Sequence, residues 1–139
     1  MSHRRDKTVP RKFPVKHLIV AALGLAFVWA TTVDARADGD PVHGKVVFNQ
    51  CMACHSLKEG TNGVGPSLHG IFGRPAASIP GFFYSPSMKR SGITWDEATL
   101  KKYLPDPQGL VPGTKMTFIG LKDPQQVDDV IAYLKGASQ

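Results

Sequence analysis

The stretch Cys51-Met52-Ala53-Cys54-His55 contains both cysteines of the 139-residue chain and predicts the group around which the fold forms. Residues three and four apart share one face of a helix, so Cys51, Cys54 and His55 point the same way. Two thiols can then bond to the two vinyl groups of one porphyrin while the imidazole reaches its iron. The spacing therefore predicts one covalently attached haem c.

Two other chemistries use cysteines at this spacing. A thioredoxin-like redox pair requires a preceding strand and an α/β chain, and the sequence shows neither. A structural zinc site requires four ligands, and beyond the motif the chain offers only the scattered His3, His17, His43 and His69. Covalent haem is favoured over both.

Residues 1–37 are predicted to be an export signal, and residues 38–139 a haem domain. Basic side chains precede the apolar run Leu18 to Ala30, and Ala35-Arg36-Ala37 has the small-x-small pattern of a cleavage site. The alternative is a retained anchor, because the charge-free stretch His17 to Val33 is 17 residues long, at the short limit for crossing a bilayer. In both cases the positive-inside rule places the Cys51 motif in the periplasm, either free or anchored to the inner membrane.

The formal net charge of +6 belongs mostly to this leader. Residues 1–37 contain seven Lys or Arg and two Asp, whereas the remaining chain contains ten basic and nine acidic residues, a net charge of +1. Nucleic acid is therefore not a predicted partner.

Helix signals recur along the domain. Asp40-Pro41 predicts an N-cap and first helical residue for a helix that runs into the haem motif, with Gly44 closely packed against another backbone. Ser85-Pro86 predicts a short helical turn. Thr94 to Glu97 forms a capping-box pattern for a further helix that Pro105 ends, and Asp123-Pro124 begins the last helix.

Two stretches between these helices are predicted to be loops. Residues 57–86 are rich in glycine and proline but also carry several aromatic side chains, which predicts a loop wrapped around the cofactor. Residues 105–122 form a second proline-containing loop, which includes Met116. The sequence shows no repeats and no run with the period of a strand.

Taken together, these features resemble class I cytochrome c of the bacterial and mitochondrial type. The resemblance covers nearly all of the domain and rests on five motifs in order: Cys51 to His55, Gly65 to Arg74, Gly92 to Trp95, Pro112 to Met116 and Ile131 to Leu134. It implies an all-α fold with three main helices, short helical turns and long loops around one covalent haem.

The resemblance also implies roles for single residues. His55 would be the proximal iron ligand, oriented by a hydrogen bond to the carbonyl of Pro66, and Met116 would be the sixth ligand. The resemblance further implies that Arg74, Tyr84 and Trp95 contact a buried haem propionate. Tyr103 and Phe118 are the remaining implied cofactor-binding residues.

These assignments have structural alternatives. Met116 could be a core methionine, as methionines usually are, and the three propionate contacts could form hydrogen bonds elsewhere. Met52 lies within the attachment turn, and Met88 is expected to fill the pocket. The iron-ligand prediction therefore favours Met116 over the other methionines.

Iron held between an imidazole and a thioether has no open position, which favours electron transfer over catalysis. The predicted function is a monomeric periplasmic one-electron carrier that takes electrons from a quinol-cytochrome c reductase or a dehydrogenase and delivers them to a terminal oxidase or reductase. Membrane contact is expected only through partners or a retained anchor. The alternatives are a dedicated subunit of one oxidoreductase and a small haem peroxidase, which requires an open sixth position.

The resemblance further predicts a docking surface around the exposed haem edge. Phe118 is expected at its centre, with Lys58, Lys115 and Lys122 as a thin basic rim. Gln50 and Gln108 occupy positions where relatives commonly carry lysine, so we expect weak electrostatic steering.

Overall fold

The computed structural model describes residues 39–139, and the predicted export signal lies outside this range. The elements in chain order are helix α1 Pro41–Met52, strand β1 Arg74–Pro75, helix α2 Pro86–Arg90, strand β2 Thr94–Trp95, and helices α3 Glu97–Tyr103, α4 Pro107–Leu110 and α5 Pro124–Ala137. None of the helices within residues 39–139 is long and apolar enough to cross a membrane. The all-α prediction is confirmed, with α1, α3 and α5 as the main helices.

Helices α1 and α5 cross at a point where no side chain separates their backbones. A Cβ atom on Gly44 would overlap the carbonyl oxygen of Asp129, so only glycine permits this approach. Beside it, the rings of Phe48 and Tyr133 lie 5.3 Å apart between centroids. The predicted close packing of Gly44 is therefore confirmed.

Three predicted N-caps are confirmed by their hydrogen bonds. Asp40, Ser85 and Asp123 each accept a backbone N–H of the first turn, and a proline follows each of them. The prediction that Thr94 caps α3 is wrong. Thr94 belongs to β2, which pairs antiparallel with β1, and Asp96 caps the helix by accepting from the N–H of Thr99 at 2.7 Å.

The loop predicted over residues 105–122 contains the short helix α4, which the sequence prediction missed. Its N-cap, Asp106, accepts from the N–H of Gly109 at 2.9 Å. After α4 the chain passes through Met116 and returns to α3, where the N–H of Leu121 donates to the carbonyl of Leu104 at 2.9 Å. Both ends of the Met116 segment are thus attached to the helical framework.

Candidate haem-binding site

A cleft opens between the end of α1 and the Met116 segment. Its larger part is a cavity of about 470 Å³, within the usual range for cofactor sites, whose lining includes Cys51, Cys54, His55 and Met116. A smaller cavity of about 110 Å³ shares Cys51, His55 and Met116 with it and reaches towards the core. The structure therefore places all four predicted attachment and ligand side chains on the walls of one cleft.

The ring of His55 is held by the loop that follows the motif. Its Nδ1 donates to the carbonyl oxygen of Pro66 at 2.7 Å, which leaves Nε2 as the nitrogen available for a metal. Burial lowers the pKa of His55 below its ordinary value, although the Pro66 hydrogen bond acts in the opposite direction. The neutral imidazole, which is the form that binds iron, is therefore favoured.

Gly65 fixes the position of the same ring. A Cβ atom at this residue would overlap Cε1 of the His55 imidazole, so the backbone of residue 65 forms one side of the slot that holds the ring. The role of Gly65 could not be derived from the sequence motif alone, because the contact depends on how the loop returns to the helix.

The two cysteines lie on the same side of the cleft, at the end of α1. Burial and the neighbouring Cys54 raise the pKa of the Cys51 thiol to about 11. Cys51 and Cys54 form no disulfide with each other. Both sulfur atoms are therefore available as thiols on the cleft wall.

The thioether of Met116 receives a hydrogen bond from a buried tyrosine. The O–H of Tyr103 donates to Met116 Sδ at 3.4 Å, and the hydroxyl of Thr114 lies 3.3 Å from the same tyrosine oxygen. Burial raises the pKa of Tyr103, so the phenol keeps its proton at neutral pH. A second lone pair of the sulfur remains for a metal.

Two residues that the sequence analysis did not assign to the site hold the Met116 backbone in place. Gln108 donates to the carbonyl oxygens of Thr114 and Met116 at 3.1 and 3.4 Å, and Thr114 Oγ1 accepts from the N–H of Met116 at 3.3 Å. In the sequence, only the closeness of Gln108 and Thr114 to Met116 could have indicated that they support this residue. Gln108, which stands at a position where relatives commonly carry lysine, thus has a structural role.

The candidate propionate contacts meet in the smaller cavity, whose lining includes Arg74, Tyr84, Trp95 and Tyr103. The guanidinium of Arg74 donates to the backbone carbonyls of His69 and Ser67 at 2.5 and 2.9 Å, which fixes a cation beside the cavity. Trp95 and Tyr103 pack edge to face, with centroids 4.9 Å apart. A cation and phenol groups in an apolar wall suit a buried carboxylate.

Met88 and Phe118 complete the cleft. Met88 is buried and lines both cavities, as predicted for a pocket-filling residue, and Phe118 lines the larger one. Met52 is 59% exposed, which agrees with its exclusion as a ligand. Of the predicted basic rim, Lys115 lines the cleft, whereas the Lys122 ammonium donates to the carbonyl of Pro105 at 2.8 Å.

These residues fit one haem, because the cleft is large and apolar and carries two thiols, a neutral imidazole and a thioether. An iron closed by two protein side chains transfers electrons rather than binding substrate. The fold and the site thus define an electron-transfer protein that holds a c-type haem.

Comparisons with known proteins agree with this class. A family model described as Cytochrome c matches residues 41–138. Cytochrome c2 of Rhodomicrobium vannielii is 52% identical over 121 residues, covering 86% of this chain and 95% of that protein, and cytochrome c2 of Blastochloris viridis is 50% identical over 110 residues, covering 78% and 87%. The solved structure of cytochrome cH from Methylobacterium extorquens is 49% identical with a TM-score of 0.67, covering 70% of this chain and 99% of that chain.

The chain belongs to the cytochrome c family, as a class I monohaem member. It is an electron carrier rather than an enzyme, and it holds one covalently bound haem c. The resemblance that the sequence motifs indicated is therefore confirmed.

Proposed function

We propose that this protein is a mobile periplasmic carrier that accepts single electrons from a quinol-cytochrome c reductase or a dehydrogenase and passes them to a terminal oxidase or another reductase. The observation that carries the proposal is the pair formed by His55 and Met116, which face one cleft from two separately anchored segments. A site closed on both sides suits a carrier that exchanges electrons with proteins and leaves no position for substrate.

In this proposal Cys51 and Cys54 would attach the haem through thioether bonds, and His55 and Met116 would bind its iron. When bound, the haem supplies a one-electron iron couple. His55 is oriented by Pro66, and Met116 by Tyr103 and the backbone contacts of its loop. Because these contacts are already formed, little reorganisation of the protein is expected between the two oxidation states.

The remaining cleft residues have roles in binding. Arg74, Tyr84 and Trp95 are proposed to hold a propionate in the smaller cavity, and Phe118 to cover part of the larger one. Residues 1–37 are proposed to direct export, after which residues 38–139 act as a monomer in the periplasm. A carrier that kept residues 1–37 as a membrane anchor would use the same haem site.

Turnover with purified membrane complexes tests this function. The full chain, matured with haem, should be reduced by quinol-cytochrome c reductase and reoxidised by terminal oxidase from the source organism at rates that support respiration. Cell fractionation and N-terminal sequencing should find the protein in the periplasm and beginning at residue 38. Stable co-purification with a single oxidoreductase, with no exchange between complexes, would contradict a mobile carrier and favour a dedicated subunit.

A further inference from the structure

The peptide group between Pro66 and Ser67 forms a hydrogen bond at each of its two ends. Its carbonyl oxygen, which belongs to Pro66, accepts from His55 Nδ1 at 2.7 Å. Its N–H, which belongs to Ser67, donates to Asn62 Oδ1 at 2.9 Å. The side-chain amide of Asn62 and the imidazole of His55 are therefore joined through a single peptide group.

A peptide group transmits the effect of one hydrogen bond to the other. Its C–N bond has partial double-bond character, so a hydrogen bond donated by the N–H increases the negative charge on the carbonyl oxygen. Hydrogen bonds in such a chain strengthen one another by roughly 10–30% each. The contact with Asn62 therefore makes the Pro66 oxygen a stronger acceptor for the proton on His55 Nδ1.

The other contacts of Ser67 keep this peptide group in one orientation. Ser67 is 1% exposed, and its hydroxyl donates to the carbonyl of Lys58 at 2.7 Å and accepts from the N–H of His69 at 3.2 Å. Its own carbonyl accepts from Arg74 Nη2 at 2.9 Å. Asn62, by contrast, is exposed. The bond between them thus connects a buried residue, whose polar groups are all bonded, to a side chain that can be replaced without entering the core.

We propose that Asn62 is a positioning residue that sets the donor strength of His55 towards haem iron. It acts through the peptide group between Pro66 and Ser67, and these four residues are named here the Asn62 relay. The inference rests on the proposed function, in which His55 binds the iron. A stronger acceptor draws the Nδ1 proton away from the ring, which makes Nε2 a stronger donor and stabilises the oxidised form. Asn62 therefore lowers the reduction potential of the carrier.

Replacing Asn62 with Ala removes the acceptor and should raise the potential. Redox titration of the haem-loaded protein should show a shift of about threefold in favour of the reduced form, which is roughly 30 mV at 59 mV per tenfold for one electron. The direction separates the relay from a loosened loop, because water admitted to the site would lower the potential. In NMR spectra of the reduced protein, the His55 Nδ1 proton should move upfield and exchange with solvent several times faster.

Variants at Asn62 and at its exposed neighbour Thr61 serve as controls. Asn62→Asp is the rescue, because a carboxylate oxygen can accept the same N–H, and Thr61→Asp measures the effect of the added charge alone. The ring proton of Asn62→Asp should stay at its wild-type position or move downfield, with a potential at or below that of Thr61→Asp. Thr61→Val removes a hydroxyl that donates to the carbonyl of Glu59 at 3.3 Å and should change neither readout.

An unchanged or lowered potential in Asn62→Ala would overturn the relay, and so would a ring proton that shifts equally in Thr61→Val. Asn62→Leu, which keeps the side-chain volume without the acceptor, should repeat the rise, and a shift in the opposite direction would contradict the relay as well. Thermal midpoints measured beside the potentials show that each variant is folded. Wild-type protein that exchanges no electrons with the membrane complexes would overturn the carrier function, whereas the relay is judged by the potentials and the ring proton.

Discussion

Tyr103 donates a hydrogen bond from its hydroxyl to the sulfur of Met116 at 3.4 Å, within the core of the protein. The bond withdraws electron density from the sulfur, and a weaker sulfur donor favours the reduced metal. The contact joins α3 to the Met116 segment, so the rigid helix controls both the position and the donor strength of the proposed ligand.

Replacing Tyr103 with Phe should lower the reduction potential of the holoprotein. A hydrogen bond contributes about 1 kcal/mol, which corresponds to about 40 mV for one electron. Redox titration of wild type and Tyr103→Phe measures the shift. An unchanged or raised potential would show that the phenol does not act on the ligand sulfur.

Replacing Met116 with Ala should open the iron to small ligands. We expect a lower potential, cyanide binding and a rise in peroxidase-like turnover of hydrogen peroxide, because a thioether no longer closes the site. Met88→Ala is the matched control: it should destabilise the fold by about 2 kcal/mol or more without opening the iron. If only Met88→Ala gains ligand binding, the ligand assignment is wrong.

Covalent attachment of haem should persist when either cysteine remains and should be lost when both are replaced. After acid denaturation, mass spectrometry should find haem on Cys51→Ala and on Cys54→Ala, each through one thioether bond. The double variant should release its haem into organic solvent. Extractable haem from the wild type would contradict attachment at this motif.

Gly44→Ala should destabilise the crossing of α1 and α5. The added methyl would overlap the carbonyl of Asp129, and such overpacking costs about 3 kcal/mol, with a thermal midpoint lower by roughly 10 °C or more. Gly136→Ala, in α5, meets no neighbour within 4 Å and should be neutral or slightly stabilising. Equal denaturation midpoints for the two variants would refute the close approach.

The pair His43 and Asp129 makes stability depend on pH. Their side chains lie 2.5 Å apart, and the hydrogen bond with Asp129 raises the pKa of His43. Burial alone would raise the pKa of Asp129, but hydrogen bonds from His43, the Gln125 amide and the Asp40 N–H lower it. The Asp129 carboxylate and the protonated His43 are therefore present together between the lowered pKa of Asp129 and the raised pKa of His43.

His43→Gln should consequently lose stability mainly at mildly acidic pH. A raised pKa stabilises the fold fully below about pH 6.5, and this contribution disappears as pH rises through the folded-state value. Below the lowered pKa of Asp129 it disappears as well. Thermal midpoints of wild type and His43→Gln should thus differ at pH 5 and converge at pH 9, with His69→Gln as the control. A difference that is constant with pH would mean that the pair acts through packing alone.

Local chemistry accounts for most of what the sequence predicted. Asp40, Ser85 and Asp123 were identifiable as caps because the signal lies within four residues of each. Thr94 failed as a cap because its backbone pairs with Pro75, nineteen positions earlier, and no local pattern reveals that contact. The haem cofactor could be predicted because its motif is contiguous in the sequence. The motif is not entirely helical as expected, because α1 ends at Met52; a turn in which the N–H groups of Cys54 and His55 donate to the carbonyl of Cys51 keeps the three residues together.

Features that depend on distant segments could not be predicted. The bond between His43 and Asp129 spans 86 positions, and Phe83 is ordered by lysines from two other segments. Gln108 supports the Met116 loop only because α4 forms within a stretch that its prolines predict to be irregular. Each of these contacts follows from the path of the chain and not from residue type.

The crossing of α1 and α5 also sets an order for biosynthesis. Helix α5 leaves the ribosome long after α1, and a twelve-residue helix is marginal in water without a packing partner. Before α5 packs on it, α1 is therefore expected to be only partly formed, which leaves Cys51 and Cys54 accessible for attachment. Packing of α5 against α1 at Gly44 then completes the core.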